Sequence, residues 1–281
     1  MIEFAKVSKT FQRRAVLDDI SLSFNKGARV ALVGSNGAGK TTLIRCLLGE
    51  YVCQGRVSVD GVDPRQDRQG VLARIGFVPQ LPPPLKIPVG ELINYAASLC
   101  CSDPLRMEQV ATQLGLDMKV IRTQPFVKLS GGQKQKLLIG IALGRDSDIL
   151  VMDEPAANLD PQSRKIFFNL LSERSPDTVM LMSSHRIDEV AALVNRVVEL
   201  DRGKVVLDDH VADTVDPSAV QACSLHLSRP EDALAKTLSA WGFASSDQGL
   251  VWSGTVAGPD RLRFFAMMSR YAGLVSGLEL K

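Results

Sequence analysis

Residues 34–42 read GSNGAGKTT, with ARVALV (28–33) directly before them and LIRCLLG (43–49) directly after. A short apolar run bounded by turn formers suits a strand buried on both faces. LIRCLLG reads as a helix that Gly49 stops. Gly34, Ser35, Asn36, Gly37, Ala38, Gly39, Lys40 and Thr41 fit the pattern G-x-x-x-x-G-K-[ST] at a strand-to-helix junction, the context this pattern requires. Glycines let backbone N–H groups turn inward around phosphate oxygens. The helix that begins at Lys40 aims its positive end at the same anion. Lys40 is placed to reach β- and γ-phosphates, and the Thr41 hydroxyl to ligate Mg²⁺. Thr42 completes the phosphate-binding stretch.

Strands and helices alternate outward from this junction. Residues 2–24 read as strand material, GRVSVDG (55–61) as a strand between turns, and IGFVPQ (75–80) as a strand that runs into the proline-broken LPPPLKIP. Residues 89–122 carry apolar positions at helical spacing and form a helical insertion. A helix to about residue 145 follows, then the strand DILVMDEP (148–155), the helix PQSRKIFFNLL (161–171) and the strand TVMLMSSH (178–185). RIDEVAALV (186–194) reads as a helix and RVVELDRGKVVLDD (196–209) as a hairpin turning at Arg202–Gly203. The alternation predicts an α/β fold around a buried sheet, with an antiparallel β part and a helical part added to it. Beyond residue 212 the texture changes, and a small α+β appendage of ferredoxin-like type is expected over 213–281, with helices at 229–243 and 259–272.

Asp153 and Glu154 close the apolar strand ILVM. Adjacent residues at a strand end can point differently, so the two acids can hold different roles. Asp153 is expected to hold Mg²⁺ through water, and Glu154 to polarise an attacking water as general base.

Ser130 stands three residues before Gln133 in LSGGQKQK (129–136), directly ahead of an apolar helix. That spacing is a capping box. A cap does not call for Gly131 and Gly132, which weaken the first turn. Two glycines make sense if a bulky anion must approach backbone N–H groups at a positive helix end.

Formal net charge is +2 with acids and bases interspersed, which argues against an extended nucleic-acid face. The five cysteines, Cys46, Cys53, Cys100, Cys101 and Cys223, contain no CxxC pair, so a reduced, cytosolic compartment is expected. No run approaches the ~18 apolar residues of a membrane span.

The order of these motifs resembles the nucleotide-binding domain of ABC ATPases over about residues 1–210, with LSGGQ its most specific element. The resemblance implies a RecA-like P-loop NTPase core in residues 1–212, with a helical subdomain at about 82–145. It implies that Phe11 stacks on adenine, that Gln80 senses Mg²⁺ and water, and that His185 hydrogen-bonds the γ-phosphate. Asp160 resembles the family's D-loop acid, although Ala157-Asn158-Leu159-Asp160 lacks the serine of the common pattern. Lys136 replaces the arginine that commonly ends the signature; charge is kept and bidentate geometry is lost.

In the family, two domains sandwich ATP head to tail, each site built from one P-loop and the opposite signature. Ser130, Gly131, Gly132 and Gln133 would then serve ATP held by a second copy, in a homodimer. The layout also resembles type-2 ABC export ATPases. The expected protein is an ATPase subunit, with ATP and Mg²⁺ as cofactors, peripheral at the cytoplasmic face of the inner membrane through separate permease subunits. The alternatives are a non-transport assembly ATPase and an importer ATPase whose C-terminal part senses a ligand.

Overall fold

The computed structural model describes residues 1–185, 190, 191, 193–210, 220–257, 264, 268, 271 and 274–280. The chain divides into two compact units, Met1–Val211 and Ala212–Lys281.

The first unit is built on two sheets. Strands β1 (Ile2–Phe11), β2 (Arg14–Phe24) and β4 (Gln54–Val59) form an antiparallel sheet in the order β2-β1-β4. The second sheet holds β3 (Arg29–Val33), β5 (Ile75–Val78), β6 (Ile149–Asp153), β7 (Val179–Ser183), β8 (Arg196–Asp201) and β9 (Lys204–His210) in the order β5-β6-β7-β3-β8-β9. Its first five strands run parallel and β9 closes the edge antiparallel. Every residue of β6 and β7 is buried, which is why both read as unbroken apolar runs rather than alternating ones. Helix α1 (Lys40–Leu47) packs between the sheets through Leu43, Ile44 and Leu47, sharing a core with Phe4, Phe24, Val30 and Leu32.

The helical insertion resolves into α3 (Val89–Leu99), α4 (Pro104–Gln113) and α5 (Met118–Ile121), after a short α2 (Arg68–Ala73). Asp103 and Asp117 cap α4 and α5 through their carboxylates, which breaks one apolar stretch into separate helices. These helices share a core with α6 (Gly131–Leu143) through Phe126, Leu129 and Leu137. A methyl group at Gly140 would lie 2.8 Å from the Ala111 side chain, so α4 and α6 cross closely there. Helix α7 (Pro161–Ser172) packs Phe167 and Leu171 beneath the parallel sheet. Among the described residues, no helix is long and apolar enough to cross a membrane.

In the second unit, β10 (Val220–Leu227), β11 (Ala244–Ser246), β12 (Val251–Ala257) and β13 (Val275–Leu280) form an antiparallel sheet in the order β11-β12-β10-β13. Helix α8 (Asp232–Ala240) joins β10 to β11. Leu225, Leu234, Leu238, Trp252 and Phe264 share its core. The helices expected at 186–194 and 259–272 lie largely outside the described residues.

Two hairpins show how turn chemistry was read and missed. Arg202 and Gly203 turn the β8–β9 hairpin with φ of 46° and 80°, the paired positive values of a type I′ turn. The β1–β2 turn has the same form at Gln12 and Arg13, with φ of 43° and 69°, yet neither residue favours it. Replacing them together, Gln12→Asn with Arg13→Gly, should stabilise the protein by about 1 kcal/mol. A thermal unfolding midpoint that fell, or stayed level, would contradict this account of the turn.

Candidate functional site

The C-terminal ends of β3 and β6 open on the same edge of the parallel sheet, with β7 between them. Ligands of open α/β sheets bind at this edge. Asn36 through Thr42 line a cavity of about 280 Å³ there, together with Val16, Gln80, Asp153 and Glu154. The P-loop, both acids and Gln80, far apart in the chain, therefore share one space.

Close packing explains two of the loop's glycines. At Gly34, φ is 141° and a methyl group would lie 2.2 Å from the Leu200 carbonyl oxygen. At Gly39, φ is 113° and a methyl group would lie 2.9 Å from the Val16 carbonyl oxygen. Lys40 is only 7% exposed. Its Nζ donates to the carbonyls of Gly34 at 2.6 Å and Ser35 at 3.1 Å, so the loop folds back around its own lysine. A buried ammonium beside the open N-terminus of α1 makes the cavity attractive to an anion.

Strand register positions the acids. Asp153 lies directly opposite Ser183 in the parallel pair β6–β7. The Ser183 hydroxyl donates to Asp153 Oδ1 at 2.5 Å and accepts from the Glu154 N–H at 2.9 Å. The chain then turns at Glu154 with φ 49°, a left-handed conformation rare for a side chain of this kind. His185 Nδ1 lies 2.6 Å from Glu154 Oε2. An ionised carboxylate only accepts, so Nδ1 carries the proton in this contact. Ser183 was not singled out from the sequence. Its signal was a hydroxyl inside an apolar strand, two residues before His185.

The donor set fits the expected groups. Thr41, Gln80 and Asp153 bring hydroxyl, amide and carboxylate oxygen to one cavity, the hard ligands that suit Mg²⁺. The uncapped N-terminus of α1 and Lys40 suit a polyphosphate.

Other expected residues stand elsewhere. Phe11 does not line this cavity; the residue is 38% exposed and its ring meets Tyr51 edge-on, with centroids 5.2 Å apart. The capping box is present in both directions: Ser130 Oγ accepts from Gln133 N–H at 3.2 Å, and Gln133 Oε1 accepts from Ser130 N–H at 3.0 Å. Gln133 therefore spends its side chain on its own helix end. A methyl group on Gly131 would meet nothing within 4 Å, whereas one on Gly132 would lie 3.2 Å from the Asn158 carbonyl oxygen.

Buried Gln135, unremarked in the sequence, donates from Nε2 to the Pro155 carbonyl at 3.1 Å. Asp160 caps α7, accepting from Ser163 N–H at 2.9 Å and Ser163 Oγ at 2.7 Å. Lys136 Nζ sits 2.8 Å from Asp160 Oδ2 and so ties α6 to the start of α7. Lys136, noted in the sequence only as a substitution, is thus the ionic partner of Asp160.

The ABC transporter family matches residues 17–157, half of the chain. The chain belongs to the ABC transporter family. Its first unit is an ATP-binding cassette of the ABC ATPase kind. The chain is 34% identical over 214 residues to the mouse ABC-type organic anion transporter ABCA8B, covering 73% of this chain and 13% of that protein. It is 29% identical over 249 residues to the zinc import ATP-binding protein ZnuC of Rickettsia bellii, covering 86% of this chain and 94% of that one. The dimeric structure of MJ0796, a bacterial ABC transporter cassette, superposes with a TM-score of 0.67 at 22% identity, over 75% of this chain and 99% of that one.

The Lys136 ammonium and the two Ser163 donors hold the Asp160 carboxyl below the usual carboxylate range. A depressed folded value means that the stabilisation from this carboxylate is present above about pH 4. It is lost only as the pH falls through the lowered folded value. In Lys136→Met the Asp160 carboxyl should titrate measurably closer to an ordinary aspartate in a ¹³C NMR titration. An unchanged midpoint would show that Lys136 does not set it.

Proposed function

We propose that this ABC cassette is the ATP-hydrolysing subunit of a transporter, that two copies close head to tail on two ATP, and that closure drives separate integral membrane permease subunits. One observation carries the reading. The P-loop, Gln80, Asp153 and Glu154 share a cavity that His185 joins through Glu154, while the signature tip lies outside that cavity with open space at Gly131. A tip built to hold an anion, and not lining its own chain's cavity, suits the nucleotide of a second copy.

In this reading the Lys40 ammonium and the N–H groups of Gly37, Gly39, Lys40 and Thr41 bind the β- and γ-phosphates, while the Ala38 N–H donates to the Ser35 carbonyl at 3.1 Å. Mg²⁺, held through Thr41, Gln80 and Asp153, would neutralise charge on those phosphates. Glu154 takes the proton of the water that attacks the γ-phosphorus, the bond from that phosphorus to the β–γ bridging oxygen breaks and ADP leaves, and the left-handed turn at Glu154 sets its carboxylate apart from Asp153. His185 Nδ1–H orients that carboxylate. Only a doubly protonated ring donates to Glu154 and to a γ-phosphate oxygen together; the neutral ring donates to one at a time. Asp160 acts beside the signature, fixing the start of α7 against α6.

The permease would dock at the cleft of about 390 Å³ beside Gln80, lined also by Phe77, Leu81, Pro83 and Leu138. The chain would then be peripheral at the cytoplasmic face of the inner membrane. We favour export, from the similarity of the layout to type-2 export ATPases. The likeness to a zinc import ATP-binding protein supports a second reading, an importer cassette whose C-terminal unit binds a ligand.

Glu154→Gln keeps a hydrogen-bonding group and removes the base. It should bind ATP, lose about 10²–10⁴-fold in turnover, and accumulate as an ATP-bound dimer. Phosphate release and solution mass read both outcomes; undiminished turnover would exclude Glu154 as the base.

A further inference from the structure

We infer that Tyr51 and Lys9 are positioning residues for a purine base, holding the Phe11 ring so that an uncovered face of it stacks on the base. The inference rests on the reading of Phe11 as the base-stacking aromatic.

Phe11 ends β1 and pairs with Arg14 across the strained turn. Val16, two residues beyond Arg14 on β2, lines the phosphate cavity, so Phe11 shares a hairpin with a residue of that lining. A phenyl ring on a hairpin tip would ordinarily sample several rotamers, and binding would have to order it. Here two neighbours hold it. The Tyr51 ring meets it edge-on, at an interplanar angle of 76°. Such an aromatic pair has a preferred geometry beyond its area of contact. Lys9 Nζ sits 4.6 Å from the Phe11 centroid and 5.6 Å from the Tyr51 centroid, and it donates to the Val52 carbonyl at 2.7 Å. The ammonium is thus fixed by a backbone acceptor and covers one side of Phe11 as a cation–π partner. Phe11 as a whole residue nonetheless stays more than a third exposed, which leaves surface for a stacking partner.

Tyr51 is itself anchored to the phosphate-binding helix. Arg45, on α1 five residues after Lys40, donates from Nη1 to Tyr51 Oη at 2.8 Å, and its guanidinium carbon lies 5.6 Å from the Tyr51 ring centroid. Contacts therefore run from the helix that would hold the phosphates, through Arg45 and Tyr51, to the ring that would hold the base. A flat aromatic surface at a set separation from a phosphate cradle selects a nucleotide over a bare polyphosphate.

The test compares two ligands that are not hydrolysed, ADP and inorganic pyrophosphate, titrated into the full chain by calorimetry, with pyrophosphate read by displacement of ADP. Tyr51→Leu keeps apolar volume and removes the ring edge. It should weaken ADP roughly two- to tenfold and leave pyrophosphate unchanged. Tyr51→Phe restores the edge contact and should bring ADP back to within about twofold of the parent. Equal loss for both ligands would overturn the inference, since Tyr51 would then only support α1. Parental ADP affinity in Tyr51→Leu would overturn it too. If the leucine variant fails to fold, Lys9→Met is carried through the same two titrations with the same criteria. Phe11→Ala separates the layers: if it leaves ADP binding intact, the stacking reading itself is wrong, and if it weakens ADP while Tyr51→Leu does not, only the positioning role is lost.

Discussion

A lysine ammonium at the end of a buried parallel sheet sets the terms for this cassette. Lys40 has little access to water, and two P-loop carbonyls solvate it in water's place. Carbonyls take two of its three N–H donors without neutralising its charge, so the ammonium stays able to attract an anion. The open N–H groups at the start of α1 add to that attraction. Much of the rest follows from accommodating that charge beside two acids. Asp153 is tied to Ser183 on the next strand, and Glu154 is turned aside and tied to His185. Each acid is thereby given one geometry.

The local parts of this site were legible in the sequence. The P-loop, the capping box and the Arg202–Gly203 turn depend on spacings of a few residues, and spacing is what a sequence displays. The unbroken apolar runs ARVALV and ILVM were readable as strands for a related reason: burial on both faces leaves no polar alternation. The Gln12–Arg13 turn was not legible, because no residue there prefers the conformation it adopts. Strand β11 is three small residues, Ala-Ser-Ser, and acquires strand character only by pairing with β12.

Non-local geometry was the other loss. Ser183 matters because β6 and β7 pair in one particular register, and nothing within either strand states that register. Lys136 and Asp160 meet because α6 and α7 begin side by side, although twenty-four residues separate the pair in sequence. Tyr51, which no sequence motif singles out, is the neighbour of Phe11 because β1 pairs with β4 and brings residue 54 back alongside residue 8. In each case the residue type was visible and its partner was not.

The bond from Gln135 to the Pro155 carbonyl has a mechanical meaning. Gln135 lies one turn into α6 from the Ser130 tip, and Pro155 is the residue after Glu154. The amide joins α6, whose N-terminal end is the Ser130 tip, to the backbone beside Glu154 through a single hydrogen bond, so a displacement of either end relative to the other strains that bond.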